Sequence, residues 1–352
     1  MPVVAEVVDV VVGGDTHKDT HTLEMVASNG VRLATITVGN DAAGYVEAIA
    51  WIAEYSPGAR VLVGLEGTRS YGLGLARALS RAGLTVVEVE RPRREQRRGR
   101  GKSDPIDAHL AALATLRMDT DRLPTPRADG DREALRILLV GRRELADTQT
   151  RQKNQLRALL LCGDDIEREL SRGKFTLTTL ATIARRRGTG NDTVEQAVRR
   201  CEARRLAIAI RDAERDLTSN EKELRHIVSR LAPDLLARRG IGPVSAAIAI
   251  VAWSHPGRCR NNAAFAALAG ASPVPASSGR VVRHRLNRGG DRQLNKALHT
   301  IAKTRWRDCP RTAAYIQRRR AEGKADGEIR RILKRYIARE LYRALNKAPI
   351  AA

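Results

Sequence analysis

The sequence predicts an α/β domain followed by an all-helical remainder, and three observations carry that expectation. Over roughly the first 115 residues, short apolar runs alternate with amphipathic stretches. From about residue 131 to 230 the chain is rich in Arg, Leu, Ala and Glu at helical spacing. Charge divides along the same line. Residues 1–90 carry 6 Lys/Arg against 11 Asp/Glu, so everything after them carries +28 and the whole chain +23.

The elements follow in order. The opening VVAEVVDVVVGG reads as a strand; Glu6 and Asp9 interrupt it and no basic segment precedes it, which argues against a signal peptide or membrane span. HTLEMVASNG is a second strand closed by an Asn-Gly turn, and VRLATITVGN a third, giving a meander. DAAGYVEAIAWIAEY has helical spacing with Asp41 at the N-cap. ARVLVGLEG reads as a buried strand, SYGLGLARALSRAG as a helix ending at Gly83, and LTVVEVE as a strand. Three antiparallel strands followed by α-β-α-β is the order of an RNase H-like domain.

RPRREQRRGRGK (91–102) is a basic, Gly-punctuated loop, and helical spacing resumes from Asp104 to about Arg117. Residues 118–130 hold two prolines and read as a linker. The long helices that follow carry apolar stripes with charged flanks, which predicts an antiparallel or intermolecular coiled coil with a helical tip at 162–195. After Pro233 comes a third, helical region rich in Gly and Pro around 239–290. The expected divisions are 1–120, 121–232 and 233–352, within the two or three domains that 352 residues allow. The tail RRRAEGKADGEIRRILKRYIARELYRAL reads as one basic amphipathic helix, with nucleic-acid contact and a solvated face as equal readings.

Composition narrows the function. An acidic first quarter suits cation binding, and a basic remainder suits phosphate neutralisation. A GC-rich genome would inflate arginine throughout but does not account for the acidic start. Aromatics, at 3%, are too few for a single-strand binder built on stacking platforms. Cys162, Cys201, Cys259 and Cys309 are widely spaced without a CxxC pair, the pattern of reduced thiols in a cytoplasmic protein.

Four carboxylates stand where chemistry would use them. Asp15 follows the first strand and Glu66 the fourth; Asp104 and Asp107 are three apart and share a helix face. Converging carboxylates repel unless cations lie between them, and two Mg²⁺ or Mn²⁺ ions so held would clamp the attacking and departing oxygens of a phosphodiester. Each also has an ordinary reading. Asp15 suits a turn, Asp104 a helix N-cap with Pro105 at the first helical position, and Asp107 a dipole partner. Glu66 is harder to explain that way, because an apolar strand leaves its carboxylate without obvious company. His17, two residues from Asp15, is either a site residue or hairpin packing. His226 and His255 read as structural or solvated, and Trp253, Trp306 and Tyr315 as core.

Two features mark the C-terminal region. LLARRGIGPVSAAIAIVAW reads helix, turn, helix, with Gly240 and Gly242 in a turn of the helix-hairpin-helix kind. Such turns offer backbone N–H groups to a DNA phosphate; a plain αα-hairpin also favours glycine there. The run FAALAGASPVPASSGRVVRHRLNRGGDRQLNKALHTIA sets Ser277 and Ser278 before Gly279, followed by Arg280, Arg283, Arg285 and Arg288. By composition it is a flexible basic loop touching phosphates. A serine nucleophile would also need a proton acceptor, and none is evident nearby.

The stretches GGDTHKDTH, GLEGTRSYGLGLARAL and VVEVERPRREQRRGRGKSDPIDA resemble the IS110-type transposase family across roughly residues 10–115, and residues 233–345 are similar to its C-terminal transposase domain. The resemblance implies a RuvC-like N-terminal domain whose DEDD metal ligands are Asp15, Glu66, Asp104 and Asp107. It implies a serine nucleophile at Ser278, with Ser277 as its neighbour, and cleavage through a covalent phosphoserine. It further implies donor and target DNA as substrates, a structured guide RNA encoded by the element, and a dimer or tetramer whose subunits share composite sites. Arg69 departs from the small residue expected after GLEGT and adds positive charge there. RNA contact is expected at Arg97, Arg98, Arg100 and Lys102 and along the helical middle. Two alternatives stay open: a RuvC-like metal nuclease or junction resolvase without serine chemistry, and a non-catalytic nucleic-acid-binding protein.

Overall fold

The computed structural model describes residues 2–90, 104–127, 129–188, 190–275, 284–285, 287 and 289–347. They divide into two compact units: Met1–Glu133 with Trp253–Phe265, and Ala134–Ala252 with Ala266–Ala352.

The first unit is built on one sheet. Its elements are α1 (Val4–Val7), β1 (Val10–Thr16), β2 (Thr20–Ala27), β3 (Arg32–Gly39), α2 (Ala42–Tyr55), β4 (Val61–Leu65), α3 (Leu73–Arg81), β5 (Thr85–Glu88) and α4 (Asp104–Leu116). The strand order is β3-β2-β1-β4-β5, with β1, β2 and β3 antiparallel and β4 and β5 parallel to β1. This matches the three-strand meander and α-β-α-β succession expected from the hydrophobic pattern. Asp41 caps α2 as expected, its carboxylate accepting from the Gly44 N–H at 2.8 Å.

Alternation along the strands gives the sheet two apolar faces. Val10, Val12, Leu23, Val63 and Leu65 face α2 and α3, packing with Trp51, Leu75 and Leu79. Val11, Val26, Leu62 and Val87 face α4, with Ala112 and Leu116. Each fully buried aliphatic side chain contributes roughly 1.5–3 kcal/mol. The opening differs from the expected strand: residues 4–7 form one helical turn and extended structure begins at Val10. Val4 is buried beneath Leu116 in the α4-side core and its N–H donates to Met118 O at 2.9 Å, so docking there outweighs the β-branched propensity.

The second unit is helical. α5 (Gly130–Leu161) starts just before it; α6 (Asp165–Arg172), α7 (Leu177–Arg185), α8 (Val194–Leu231), α9 (Pro233–Leu236), α10 (Pro243–Trp253) and α11 (Asn262–Leu268) follow. A short ribbon, β6 (Val274–Pro275) and β7 (His284–Arg285), precedes α12 (Arg292–Asp308), α13 (Pro310–Ala321) and α14 (Asp326–Leu345). α5 and α8 run antiparallel within the chain. The Asn220 amide donates to Leu138 O at 3.0 Å, and Gln149 donates to the Glu214 carboxylate at 2.8 Å and to Ile210 O. Toward the tip, Leu156 and Leu160 pack with Leu206, Ala207 and the α7 residues Leu180 and Ile183.

The basic tail is two helices rather than one. α13 ends at Ala321, and Gly323 takes φ +78° before α14 begins at Asp326. Left-handed backbone at that glycine terminates a helix. Trp253 is core, but Trp306 and Tyr315 are half-buried. Arg320 and Arg330 lie over the Trp306 ring, and Arg318 and Arg319 over the Tyr315 ring. No helix among the described residues is long and apolar enough to cross a membrane.

Candidate functional site

The strand pattern sets the site before any side chain is considered. Gly13 pairs with Gly64 across β1 and β4, and both face α4. A Cβ on Gly13 would overlap the Ala108 carbonyl and the Ala112 N–H, and one on Gly64 would overlap the Thr115 hydroxyl. The two glycines therefore make a floor on which α4 lies almost in backbone contact. Two residues beyond that floor, on the same face, stand Asp15 and Glu66. They are register neighbours, because Gly14 pairs with Leu65 and the Glu66 N–H donates to Gly14 O at 3.0 Å. Asp107 lies on the sheet-facing stripe of α4, one turn before Ala111, and is buried. Asp104 is the first residue of the same helix.

Burial of these acids is the informative quantity. Asp15, Glu66 and Asp107 are only 6%, 5% and 5% exposed, where solvated turn or cap residues would be open. His17 Nε2 meets Asp15 Oδ2 at 3.1 Å, so His17 touches the site rather than the hairpin interior. The Thr16 hydroxyl donates to Glu66 O at 3.0 Å, and Gly67, at φ +63°, turns the chain just past Glu66. Oxygen-only donors of this kind suit Mg²⁺ or Mn²⁺. Among the described residues, no three His, Cys, Asp or Glu side chains close around a common metal position.

Two further residues were missed by sequence reasoning. Glu24 on β2, 1% exposed, binds His109 Nδ1 on α4 and lies 3.1 Å from Arg32 Nε. Since Glu24 is the register partner of Gly13, this pair pins α4 across the glycine floor and so holds Asp107 in place. The signal was present: Glu24 interrupts the apolar run HTLEMVA just as Glu66 interrupts VLVGLEG.

At the same edge of the sheet, on the opposite face, Glu88 closes β5. Its carboxylate accepts from Arg69 Nη2 at 3.0 Å and Arg127 Nε at 2.8 Å. Burial alone would push Glu88 up, but Arg127 and then Arg69 outweigh it and hold its carboxyl below the usual range. His255, read from sequence as structural or solvated, belongs to this cluster and is pushed down to about 4, by burial first and then by Arg127, Arg258 and Arg132. An unfolded histidine titrates near 6.5, so the unfolded chain takes up that proton first and stability is lost as pH falls from about 6.5 to about 4. Glu88 adds a further loss as pH falls below its ordinary 4.5. Thermal melts of His255→Gln are expected to show a flatter profile between pH 6.5 and 4 than wild type; an unchanged slope would rule out a neutral His255.

In the helical unit, Gly240 takes φ +79° against Arg305 and Ile301, and Arg305 Nε donates to Arg239 O at 2.8 Å. Gly242 faces open space at the start of α10, beside a groove lined by Arg239, Ser245, Thr300 and Thr304. Arg285 is on β7, paired with Val274. Arg97, Arg98, Arg100, Lys102, Ser277, Ser278, Arg280, Arg283 and Arg288 lie outside the described residues, as does the Asp104 side chain.

Comparison with known proteins bears on both halves. A family model described as a transposase, the DEDD type of IS110, matches residues 12–162. A second, described as the transposase IS116/IS110/IS902 family, matches residues 233–317. An insertion element IS900 uncharacterized 42 kDa protein of Mycobacterium paratuberculosis is 27% identical over 359 residues, covering 89% of each chain. An acid-bearing α/β unit joined to a basic helical one is thus the frame of a transposase, a class of enzyme that cuts and rejoins DNA. The chain belongs to the IS110 family of insertion-sequence transposases.

Proposed function

We propose that this transposase cuts and rejoins DNA by joining an RNase H-like, RuvC-type metal site of Asp15, Glu66, Asp104 and Asp107 to a serine nucleophile, Ser278. The observation that carries the metal half is the burial of Asp15, Glu66 and Asp107 against one another's elements on the α4 face. Buried carboxylates are costly without cations, and the strand order β3-β2-β1-β4-β5 supports an RNase H-like frame. Two divalent ions bound there would supply charge neutralisation at the attacking and departing oxygens of the phosphodiester. The chain's own part is to hold the carboxylates: Asp15 and Glu66 by strand register, Asp107 by the Glu24–His109 contact, Asp15 further by His17.

In the serine half, Ser278 Oγ attacks phosphorus, a P–O bond to the neighbouring nucleotide breaks, and the departing oxygen takes a proton to become a free hydroxyl. Attack by that or another hydroxyl on the phosphoserine would rejoin the strand. The divisions 1–120, 121–232 and 233–352 would then separate metal chemistry, helical scaffold and serine chemistry. Gly240 and Gly242 would offer N–H groups to a DNA phosphate. A structured RNA from the element would select donor and target by pairing, and a dimer or tetramer would bring the metal site of one subunit to the serine of another.

Purified protein incubated with element-end DNA, the candidate RNA and Mg²⁺ should form a covalent protein–DNA adduct that disappears in Ser278→Ala. An adduct persisting in the Ser277→Ala, Ser278→Ala double variant would overturn the serine assignment. Cleavage without any adduct would favour a plain metal nuclease.

A further inference from the structure

The edge of the sheet that carries Asp15 and Glu66 also carries a cationic cluster assembled from three distant parts of the chain. Arg69 comes from the turn after β4, Arg127 and Arg132 from the approach to and start of α5, and Arg258 from the returning segment 253–265. Glu88 is the hub: Arg69 and Arg127 donate to its carboxylate, and Arg132 donates to Arg127 O. Glu88 and Glu133 supply counter-charge to these guanidiniums.

The crowding of the guanidiniums is visible in the titration of the group. Arg132 is pushed down to about 10, by burial first and then by Arg127, Arg258 and Arg69. The same arginines act on His255, which stays neutral at pH 7. Guanidiniums that repel one another in this way favour an anion brought among them. The accessible members are the right ones to meet it. Arg69 and Arg258 are exposed, whereas the Arg127 side chain is 10% exposed and braces the interior. Arg69 also follows Glu66 by only three residues, so a nucleic-acid strand crossing this edge would pass the carboxylates and the guanidiniums in turn.

We infer that Arg69, Arg127, Arg132 and Arg258 form an anion site that takes a backbone phosphate of the DNA substrate beside the carboxylate site. This rests on the proposed DNA-cleaving function for its ligand, while its charge and geometry are independent of serine chemistry. Arg69 and Arg258 contact the phosphate; Glu88 and Arg127 position Arg69. The returning segment thereby makes the C-terminal half of the chain contribute to substrate binding in the α/β unit.

The test uses the full-length chain and inorganic phosphate as probe. Melting temperature is compared in phosphate and in chloride at equal ionic strength for wild type, Arg69→Gln, Arg258→Gln and the control Arg60→Gln, whose partner is Asp9. Phosphate should raise the wild-type and Arg60→Gln midpoints by roughly 2–4 °C, and Arg69→Gln and Arg258→Gln by less than half of that. A second measurement is the salt dependence of binding to a random-sequence DNA duplex, where each of those two variants should lower the slope by about one. Wild-type phosphate response and wild-type slope in both variants would overturn the site, whether or not the protein cleaves DNA. Loss confined to RNA binding, with duplex binding intact, would overturn its assignment to DNA. If the variants lose both responses but wild type forms neither cut nor adduct, the anion site stands and the proposed reaction fails.

Discussion

Replacing Asp107 with Ala is expected to abolish Mg²⁺-dependent strand cleavage while leaving the fold intact. Asp107 is buried on the stripe of α4 that faces the sheet, on the face that also carries the buried Asp15 and Glu66. Metal-held charge stabilisation contributes several kcal/mol to phosphodiester cleavage, so losing one ligand should cost roughly a thousandfold or more in rate. Alanine is the residue a helix interior tolerates best, and the substitution removes a buried charge. The thermal midpoint without metal should therefore stay close to wild type. Gel assays of cleavage alongside melts separate the two effects; a variant that still cleaves at a tenth of the wild-type rate would remove Asp107 from the ligand set. Asp15→Ala should behave alike, although it also releases His17.

Gly13→Ala is expected to damage the α/β unit and its site together. Its Cβ would fall on the backbone of Ala108 and Ala112, which cannot rotate away, so α4 must lift from β1. Overpacking of this kind costs about 1–3 kcal/mol, and more where backbone must move. Lifting α4 also strains the Glu24–His109 contact and carries Asp107 out of line, so cleavage should fall with stability. Gly64→Ala should cost less, because its closest neighbour is the Thr115 hydroxyl, which can turn aside. Gly141 on α5 meets nothing within 4 Å, and Gly141→Ala should stabilise by about 0.5–1 kcal/mol. Urea unfolding of the three variants checks the ranking; equal midpoints for Gly13→Ala and wild type would show that α4 does not rest on this floor.

Much of this was legible in the sequence, for reasons that are local. An Asn-Gly turn between two short runs marked β2 and β3, and apolar runs marked β1 and β4, so Asp15 and Glu66 were placed at strand ends before their neighbours were known. Asp41 announced the start of α2, and the spacing of Asp104 and Asp107 announced a shared helix face. What stayed hidden depends on contacts between distant residues. Glu24 and His109 are 85 positions apart, and the Glu88 cluster draws on residues 69, 127, 132 and 255–258. No periodicity encodes such meetings. His255 looked structural because its partners come from elsewhere in the chain. The helical turn at 4–7 was masked by valines whose burial under α4 outweighs their strand preference, and Gly323 hid a helix break inside a continuous basic amphipathic pattern.

Asp15, Glu66, Asp104 and Asp107 are proposed to hold divalent metal together. Titrating Mn²⁺ into the full-length chain and following the free-ion signal by electron paramagnetic resonance tests it without depending on DNA, RNA or serine chemistry. Wild type should bind Mn²⁺, and Asp15→Ala, Glu66→Ala, Asp104→Ala and Asp107→Ala should each weaken binding at least about tenfold. Wild-type Mn²⁺ binding in all four variants would contradict it.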